Sequence, residues 1–121
     1  MSSLSKAISI NPYFKINPGR IDDFKALISK FIESTQTEAG CLYYDFSIND
    51  DMVFCREAYL DADAVLAHLE NVGAHIEASG EISEMVRLEI HGPAEELAKL
   101  KAPLAELPVE FYDHVAGVTK E

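Results

Sequence analysis

A hairpin pattern that leads straight into a capped helix, between residues 40 and 68, constrains this fold most. Two runs rich in Tyr, Phe, Val and Ile flank a polar turn at residues 49–51, which is typical of two antiparallel strands over residues 41–59. Asp61 then offers an N-cap for a helix that carries His68. If the turn uses three residues, Cys55 lies opposite Asp45, and Cys41 lies opposite Tyr59. That register places the two cysteines too far apart for a disulfide.

The segment before the hairpin predicts a strand and a helix. Apolar residues alternate over residues 8–16, but Pro12 cannot donate a ladder hydrogen bond, which indicates an edge strand or a bulge. Asn17-Pro18-Gly19 predicts a helix start with a cap and a proline at the first helical position. The following apolar residues recur at helical spacing: Ile21, Phe24, Leu27, Ile28, Phe31 and Ile32.

The segment after the second helix alternates again and predicts a half-solvated strand over residues 83–91. Its apolar face would carry Val86, Leu88 and Ile90; its polar face would carry Arg87, Glu89 and His91. Leucines at helical spacing then predict a short helix that Pro103 kinks or divides, and a last strand fits residues 109–118. The order βαββαβ with a C-terminal αβ extension predicts an α+β, ferredoxin-like fold in a single domain, residues 1–121.

Charge and hydropathy narrow the classes of partner. The 121 residues include 10 basic and 21 acidic residues, giving a formal net charge of -11, with 48% hydrophobic residues. Nucleic-acid binding needs clustered Lys and Arg, and anionic membranes need the same, so neither partner is expected. The sequence shows no apolar run of membrane-spanning length and no secretory leader, which predicts a cytoplasmic protein.

Three short motifs together resemble the antibiotic biosynthesis monooxygenase (ABM) superfamily, which includes quinol-monooxygenase-like proteins. They are Gly40-Cys41-Leu42-x-Tyr44-x-Phe46, Glu57-x-Tyr59-x-Asp61 and Ala67-His68-Leu69. The resemblance covers roughly the first three quarters of the chain. It implies a homodimeric α+β barrel, in which helices cover one face of each sheet and the partner's sheet covers the other.

The hairpin register predicts which residues meet the helices and which meet the partner. One face would carry Leu42, Tyr44, Phe46 and Ile48 with Met52, Phe54, Arg56 and Ala58 beneath the helices. The opposite face would place Glu57, Tyr43 and Tyr59 at the dimer interface. Glu57 is an alternative general base, although a paired carboxylate at the interface is the favoured role.

The candidate catalytic residues are His68, Tyr44 and Arg56. His68 and His75 lie together along one border of the second helix's apolar stripe, where a histidine can transfer a proton near neutral pH. Tyr44 and Arg56 would then bind a phenolate or carbonyl oxygen. The substrate pocket would be completed by His75, Leu42, Phe46 and Phe24. The simpler alternative is two hydrogen-bonded histidines at the margin of the core.

The resemblance implies oxidation of a small aromatic or quinol by O2 without metal or cofactor. His68 and His75 are seven residues apart, which is not a typical metal-ligand spacing, and the sequence contains no glycine-rich phosphate loop. Asn11 matches an asparagine of the haem-degrading branch, but the chain lacks that branch's tryptophan. Two alternatives remain open: a non-catalytic ligand-binding or stress-associated dimer, and an isomerase that acts by proton transfer on a small carbonyl compound.

Overall fold

A five-stranded sheet with helices on one face forms the fold, seen in a computed structural model that describes residues 3–120. The strands are β1 Ile8–Ile16, β2 Cys41–Asn49, β3 Met52–Tyr59, β4 Ser83–Gly92 and β5 Val109–Asp113. The helices are α1 Ile21–Thr35, α2 Ala62–Asn71, α3 Gly73–Ser79 and α4 Ala94–Lys101. The strand order is β2-β3-β1-β4-β5, and only β5 runs parallel to its neighbour within the described residues. This arrangement confirms the predicted ferredoxin-like fold.

Pro12 lies in the centre of the sheet, so the prediction of an edge strand is wrong and the prediction of a bulge is confirmed. β1 pairs with both β3 and β4. The ladder to β3 joins Ile10 to Glu57 and Tyr13 to Phe54, so Pro12 makes no pair on that side. On the other side the register to β4 shifts directly after Tyr13. The proline is tolerated because the ladder is interrupted where its missing N–H would be needed.

The first helix begins later than predicted. Gly19 has φ +78°, and the backbone N–H of Arg20 donates to the carbonyl of Asn17 at 3.1 Å. Pro18 followed by glycine at positive φ is the pattern of a type II turn. Asn17 and Pro18 therefore belong to a turn, and α1 starts at Ile21 without a side-chain cap.

The hairpin register differs by one residue from the prediction over most of its length. Asn49 pairs with Met52, so the turn has two residues, and Asp50 takes φ 55° to close it. Tyr44 consequently lies opposite Glu57, whereas the predicted register places it opposite Arg56. The predicted pair of Cys41 with Tyr59 is present because the register shifts again at the start of β2.

The C-terminal third also departs from the sequence pattern. Val86 is 48% exposed, because the extra residue at the bulge opposite Tyr13 turns it away from the buried face. α4 ends at Lys101, ahead of Pro103, and β5 ends at Asp113 and not at residue 118. The strand is shorter because, among the described residues, it pairs with β4 alone, whose partner segment runs from Leu88 to Gly92.

Two apolar clusters hold the helices on the sheet. One joins α2 and α4 to the sheet around Tyr59, Val65 and Leu97. The other joins α1 to the sheet around Phe24 and Phe31. Across residues 3–120, no helix has both the length and the apolar character that crossing a membrane requires.

Candidate functional site

The N-terminus of α2 is fixed at two points, and this anchoring sets the position of His68. Asp61 Oδ1 accepts a hydrogen bond from the backbone N–H of Ala64 at 2.9 Å, which confirms the predicted N-cap. Glu96 Oε1, from α4, accepts from the N–H of Ala62 at 3.0 Å. Both donors lie in the first turn, whose N–H groups have no partner within the helix. His68 follows on the face that packs against the sheet.

His68 is buried between two carboxylates. Its imidazole Nδ1 lies 2.9 and 3.0 Å from the two carboxylate oxygens of Glu38, while Nε2 lies 3.4 Å from Oε1 of Glu57. The side chain of His68 is 3% exposed, against 10% for Glu38 and 6% for Glu57. Because an ionised carboxylate can only accept hydrogen bonds, Nδ1 carries the hydrogen and Nε2 faces Glu57.

Glu57 is the group in this cluster best suited to proton transfer near neutrality. Burial raises the pKa of its carboxyl from 4.5 to about 7. Hydrogen bonds from Tyr59, whose hydroxyl is 2.6 Å from Oε1, and from Cys55 oppose this rise. A carboxyl with a pKa near ambient pH is present in both protonation states, so it can either take or give a proton.

Burial favours a neutral imidazole and neutral phenols in this cluster. Burial lowers the pKa of His68, and the hydrogen bond to Glu38 only partly offsets that effect. Burial also raises the pKa of Tyr44 and of Tyr59 well above the usual value of a phenol. The two tyrosine rings enclose the imidazole, with centroid distances of 5.2 Å from Tyr44 and 4.8 Å from Tyr59.

Glu38 was missed by sequence reasoning, because its role depends on how closely a loop approaches α2. A Cβ added to Gly40 would lie 2.6 Å from Cβ of Ala64, so only glycine permits this approach. Asn71 then holds Glu38 with a 2.8 Å hydrogen bond from Nδ2 to Oε2. The available signal was an acidic residue two positions before Gly40, the glycine that immediately precedes β2.

A small inner cavity between the helices and the sheet borders this cluster. Its volume is about 40 Å³, and His68, Glu57, Tyr44 and Phe46 line it. The structure therefore brings together three predicted site residues, His68, Tyr44 and Phe46. Small-molecule pockets typically measure about 300–1,000 Å³, so this cavity admits only a substituent of a substrate.

Arg56 lies on the other face of the sheet from His68, contrary to the predicted grouping. Its guanidinium is 3.8 Å from a carboxylate oxygen of Asp45 and 5.8 Å from the centre of the Tyr43 ring. The cause is the two-residue turn, which shifts β3 by one residue against β2 and reverses the faces of their pairs.

The same shift reverses two of the three residues predicted for the dimer interface. Glu57 and Tyr59 lie beneath the helices at 5% and 0% exposure, whereas Tyr43 is on the outer face and 46% exposed. A residue buried within one chain cannot also present its side chain to a partner.

The remaining predicted pocket residues lie away from the inner cavity. Phe24 is fully buried in the core, where its ring centre is 5.4 Å from that of Phe14. His75 Nε2 is 3.0 Å from Oγ of Ser34, which fits the alternative of a hydrogen-bonded histidine at the core margin. Leu42 lines an outer cleft beside β2. Among the described side chains, no group of three His, Cys, Asp or Glu residues is arranged to hold a metal ion.

Comparison with known proteins identifies the class. Residues 7–78 match the family model described as antibiotic biosynthesis monooxygenase, and the chain belongs to that family. Among curated proteins, none matches the chain.

Solved structures share the fold. The chain is similar to MupZ from Pseudomonas fluorescens, with 39% identity, 95% of each chain covered and a TM-score of 0.91. Rv0793 from Mycobacterium tuberculosis shares the fold at 20% identity, with 73% of this chain and 95% of that chain covered and a TM-score of 0.65. A conserved protein from Methanosarcina mazei Go1 does so at 20% identity, with 73% and 93% covered and a TM-score of 0.65.

Proposed function

We propose that this protein is an enzyme that transforms a small organic molecule by general acid–base catalysis, with Glu38, His68 and Glu57 as the proton-transfer groups. The observation that carries the proposal is the buried imidazole held between two carboxylates. One of these carboxyls has a pKa of about 7. A buried polar cluster of this kind costs desolvation and is replaceable by apolar packing, so its placement beside a cavity favours a chemical role.

The cluster can move a proton across the imidazole ring. Protonated Glu57 gives its proton to Nε2 of His68 while Nδ1 releases its hydrogen to Glu38, and Glu38 then protonates the substrate. In the opposite direction, Glu38 takes a proton from a substrate O–H or C–H and passes it to Nδ1, while Nε2 returns its proton to Glu57. The net result is proton transfer within the substrate without a bound cofactor.

Oxidation of a quinol-like aromatic by O2 is the second candidate function, and family membership favours it. Removal of a proton from the substrate is common to both functions, because loss of the phenolic proton produces an anion that donates electrons to O2 far more readily than the phenol. The two functions therefore differ in the fate of the anion and share the same proton-transfer groups.

The test is a panel of hydroquinones, phenols and small carbonyl compounds in D2O, followed by NMR for deuterium incorporation and by an oxygen electrode. Deuterium exchange or isomerisation without oxygen uptake supports the first function, and oxygen uptake that persists with a chelator supports the second. Glu57→Gln is expected to reduce either rate by about 10²-fold or more, because a general acid–base contributes about 10²–10⁴. The rate should follow a group that titrates near pH 7.

The matched control is Glu89→Gln, the same substitution on the outer face of the sheet, which should leave the rate unchanged. Full activity of Glu57→Gln would contradict the role assigned to this carboxyl. If the test compounds bind but none is converted, both catalytic functions are contradicted and a ligand-binding role takes their place.

We also propose that two copies pair through the outer face of the sheet, and that the protein acts in the cytoplasm. This face carries Tyr43 and the adjacent rings of Tyr13 and Phe54, whose centres are 4.7 Å apart. Sedimentation should show a dimer that Phe54→Lys converts to a monomer, whereas Lys15→Ala, an exposed change on β1, should not. A monomeric native protein at tens of micromolar would contradict the pairing.

A further inference from the structure

The outer cleft beside β2 meets the proton-transfer cluster at a single carboxylate. It lies between the C-terminal end of α1 and the start of β2, and its volume is about 290 Å³. Its lining consists of Ile32, Thr35, Gln36, Glu38, Cys41, Leu42, Tyr43 and Tyr44. Glu38 belongs to both the cleft and the cluster, and it is the most exposed of the three proton-transfer groups.

The volume of this cleft suits a substrate, unlike that of the inner cavity. The cleft approaches the lower end of the range for small-molecule sites, about 300–1,000 Å³, whereas the inner cavity measures about 40 Å³. Ile32 and Leu42 are each 38% exposed and give the cleft an apolar rim. An apolar molecular body would cover this surface.

Thr35 supplies an unsatisfied polar atom at the cleft. The residue is 4% exposed, and within residues 3–120 its Oγ1 has no hydrogen-bond partner. It interacts with the Tyr44 phenol, whose pKa it lowers against the larger effect of burial, without forming a well-aligned hydrogen bond. Buried polar atoms are nearly always hydrogen-bonded, so an unsatisfied hydroxyl that lines a cleft points to a ligand atom.

The charge of the cleft selects the class of ligand. None of the lining residues named above is basic, Glu38 is acidic, and the whole chain has a formal net charge of -11. An anionic ligand would be repelled here and would have no cationic partner.

We propose that this cleft binds the substrate as an uncharged molecule with an apolar body, whose hydroxyl or carbonyl oxygen is held by the hydroxyls of Thr35 and Tyr44 beside Glu38. The proposal rests on the proposed acid–base function, and it makes Glu38 the group that touches the substrate. His68 and Glu57 then act behind it as a buried proton relay. Thr35 is a positioning residue.

Binding can be tested without turnover, by titrating the protein with phenol and with benzoate and following the backbone amides by NMR. Phenol should shift the amides of residues 32–44 in a saturable manner, and benzoate should bind at least about tenfold more weakly. Thr35→Val removes the hydroxyl at nearly constant volume and should weaken phenol binding about fivefold, the value of one hydrogen bond. Thr35→Ser should retain the affinity.

The matched control is Thr119→Val, which alters a second cleft of about 490 Å³ near the C-terminus. It should leave phenol binding unchanged. The proposal is overturned if phenol does not bind at millimolar concentration, if its shifts are confined to residues 7–9 and 112–115, or if Thr35→Val binds as well as the native protein.

Failure of this proposal is distinguishable from failure of the acid–base function. Glu57→Gln should bind phenol normally while it loses exchange activity, because Glu57 lies behind His68 and does not line the cleft. If the native protein binds phenol in the cleft but catalyses none of the test reactions, the binding site is supported and the acid–base function is contradicted.

Discussion

Two glutamates of this sheet each lie beside a histidine, yet the pKa values of their carboxyls shift in opposite directions. On the helix-covered face, Glu57 Oε1 is 3.4 Å from His68 Nε2, and burial raises the pKa of this carboxyl to about 7. On the outer face, Glu89 Oε1 is 3.0 Å from His91 Nε2, and that hydrogen bond, with a smaller contribution from Arg87, lowers the pKa of Glu89.

The difference shows that exposure to solvent, more than the type of partner, sets the carboxyl pKa in such a pair. The outer pair has water and Arg87 to stabilise its charges, so Glu89 stays ionised and inert at neutral pH. The inner pair has lost its water, which makes the charged form of Glu57 costly. Of the two glutamates, only Glu57 therefore has a pKa near neutral pH.

The largest expected effect tests whether the helix-covered face is the structural core. Phe24→Ala should lower the free energy of unfolding by about 4 kcal/mol, because it leaves a cavity where the ring packs at 0% exposure. Phe54→Ala, on the outer face, should cost clearly less when both variants are diluted below the concentration at which two copies pair. Urea denaturation of both variants measures the difference, and equal losses would break the comparison between the two faces.

The next effect concerns the pH dependence of stability. The folded pKa of Glu57, about 7, exceeds its unfolded value of 4.5, so the folded state binds more protons between these pH values and stability falls as pH rises. Glu57→Gln removes this loss and should be more stable than the native protein by about 3 kcal/mol at pH 8, at 1.36 kcal/mol per pKa unit. The two proteins should converge near pH 4.

His68 acts in the opposite direction, because its lowered pKa makes stability fall as pH drops below its unfolded value of 6.5. Comparing Glu57→Gln with the native protein at each pH separates the two contributions. Glu89→Gln should show no such gain at pH 8. If the difference in free energy of unfolding between Glu57→Gln and the native protein is the same at pH 5 and at pH 8, the raised pKa of Glu57 is contradicted.

The smallest effect concerns the support of the inner pair. Asn71→Ala removes the hydrogen bonds from Nδ2 to Glu38 Oε2 and to the carbonyl of Ser34, at 2.8 and 2.9 Å, and should cost about 1 kcal/mol. Nitrogen chemical shifts of His68 should also move, because Glu38 fixes which ring nitrogen is protonated. The side chain of Asn11, on β1, donates a 3.3 Å hydrogen bond to Oγ of Ser9 on the sheet face opposite His68, and Asn11→Ala should leave those shifts unchanged.

Sequence reasoning succeeded where local pattern and tertiary structure agree. Alternation and helical spacing predicted the order of the elements apart from one: the predicted second helix, which carried both His68 and His75, is divided into α2 and α3, and His75 lies on α3. The Asp61 cap was read correctly. Sequence reasoning failed for the hairpin register, because a two-residue and a three-residue turn leave nearly the same pattern and only the backbone at Asp50 separates them. The one-residue change of register places Arg56 on the outer face and Glu57 beside His68.

The sequence by itself determined the fold class, the family motifs and the presence of His68 on the second helix, because these depend on periodicity and on residues close together in the chain. It also showed Glu89 and His91 on one strand face, since they are two residues apart. Only the tertiary structure placed Glu38 and Glu57 on either side of His68, at sequence separations of 30 and 11 residues. Their pKa values depend on the exclusion of water, which arises only when the helices pack on the sheet.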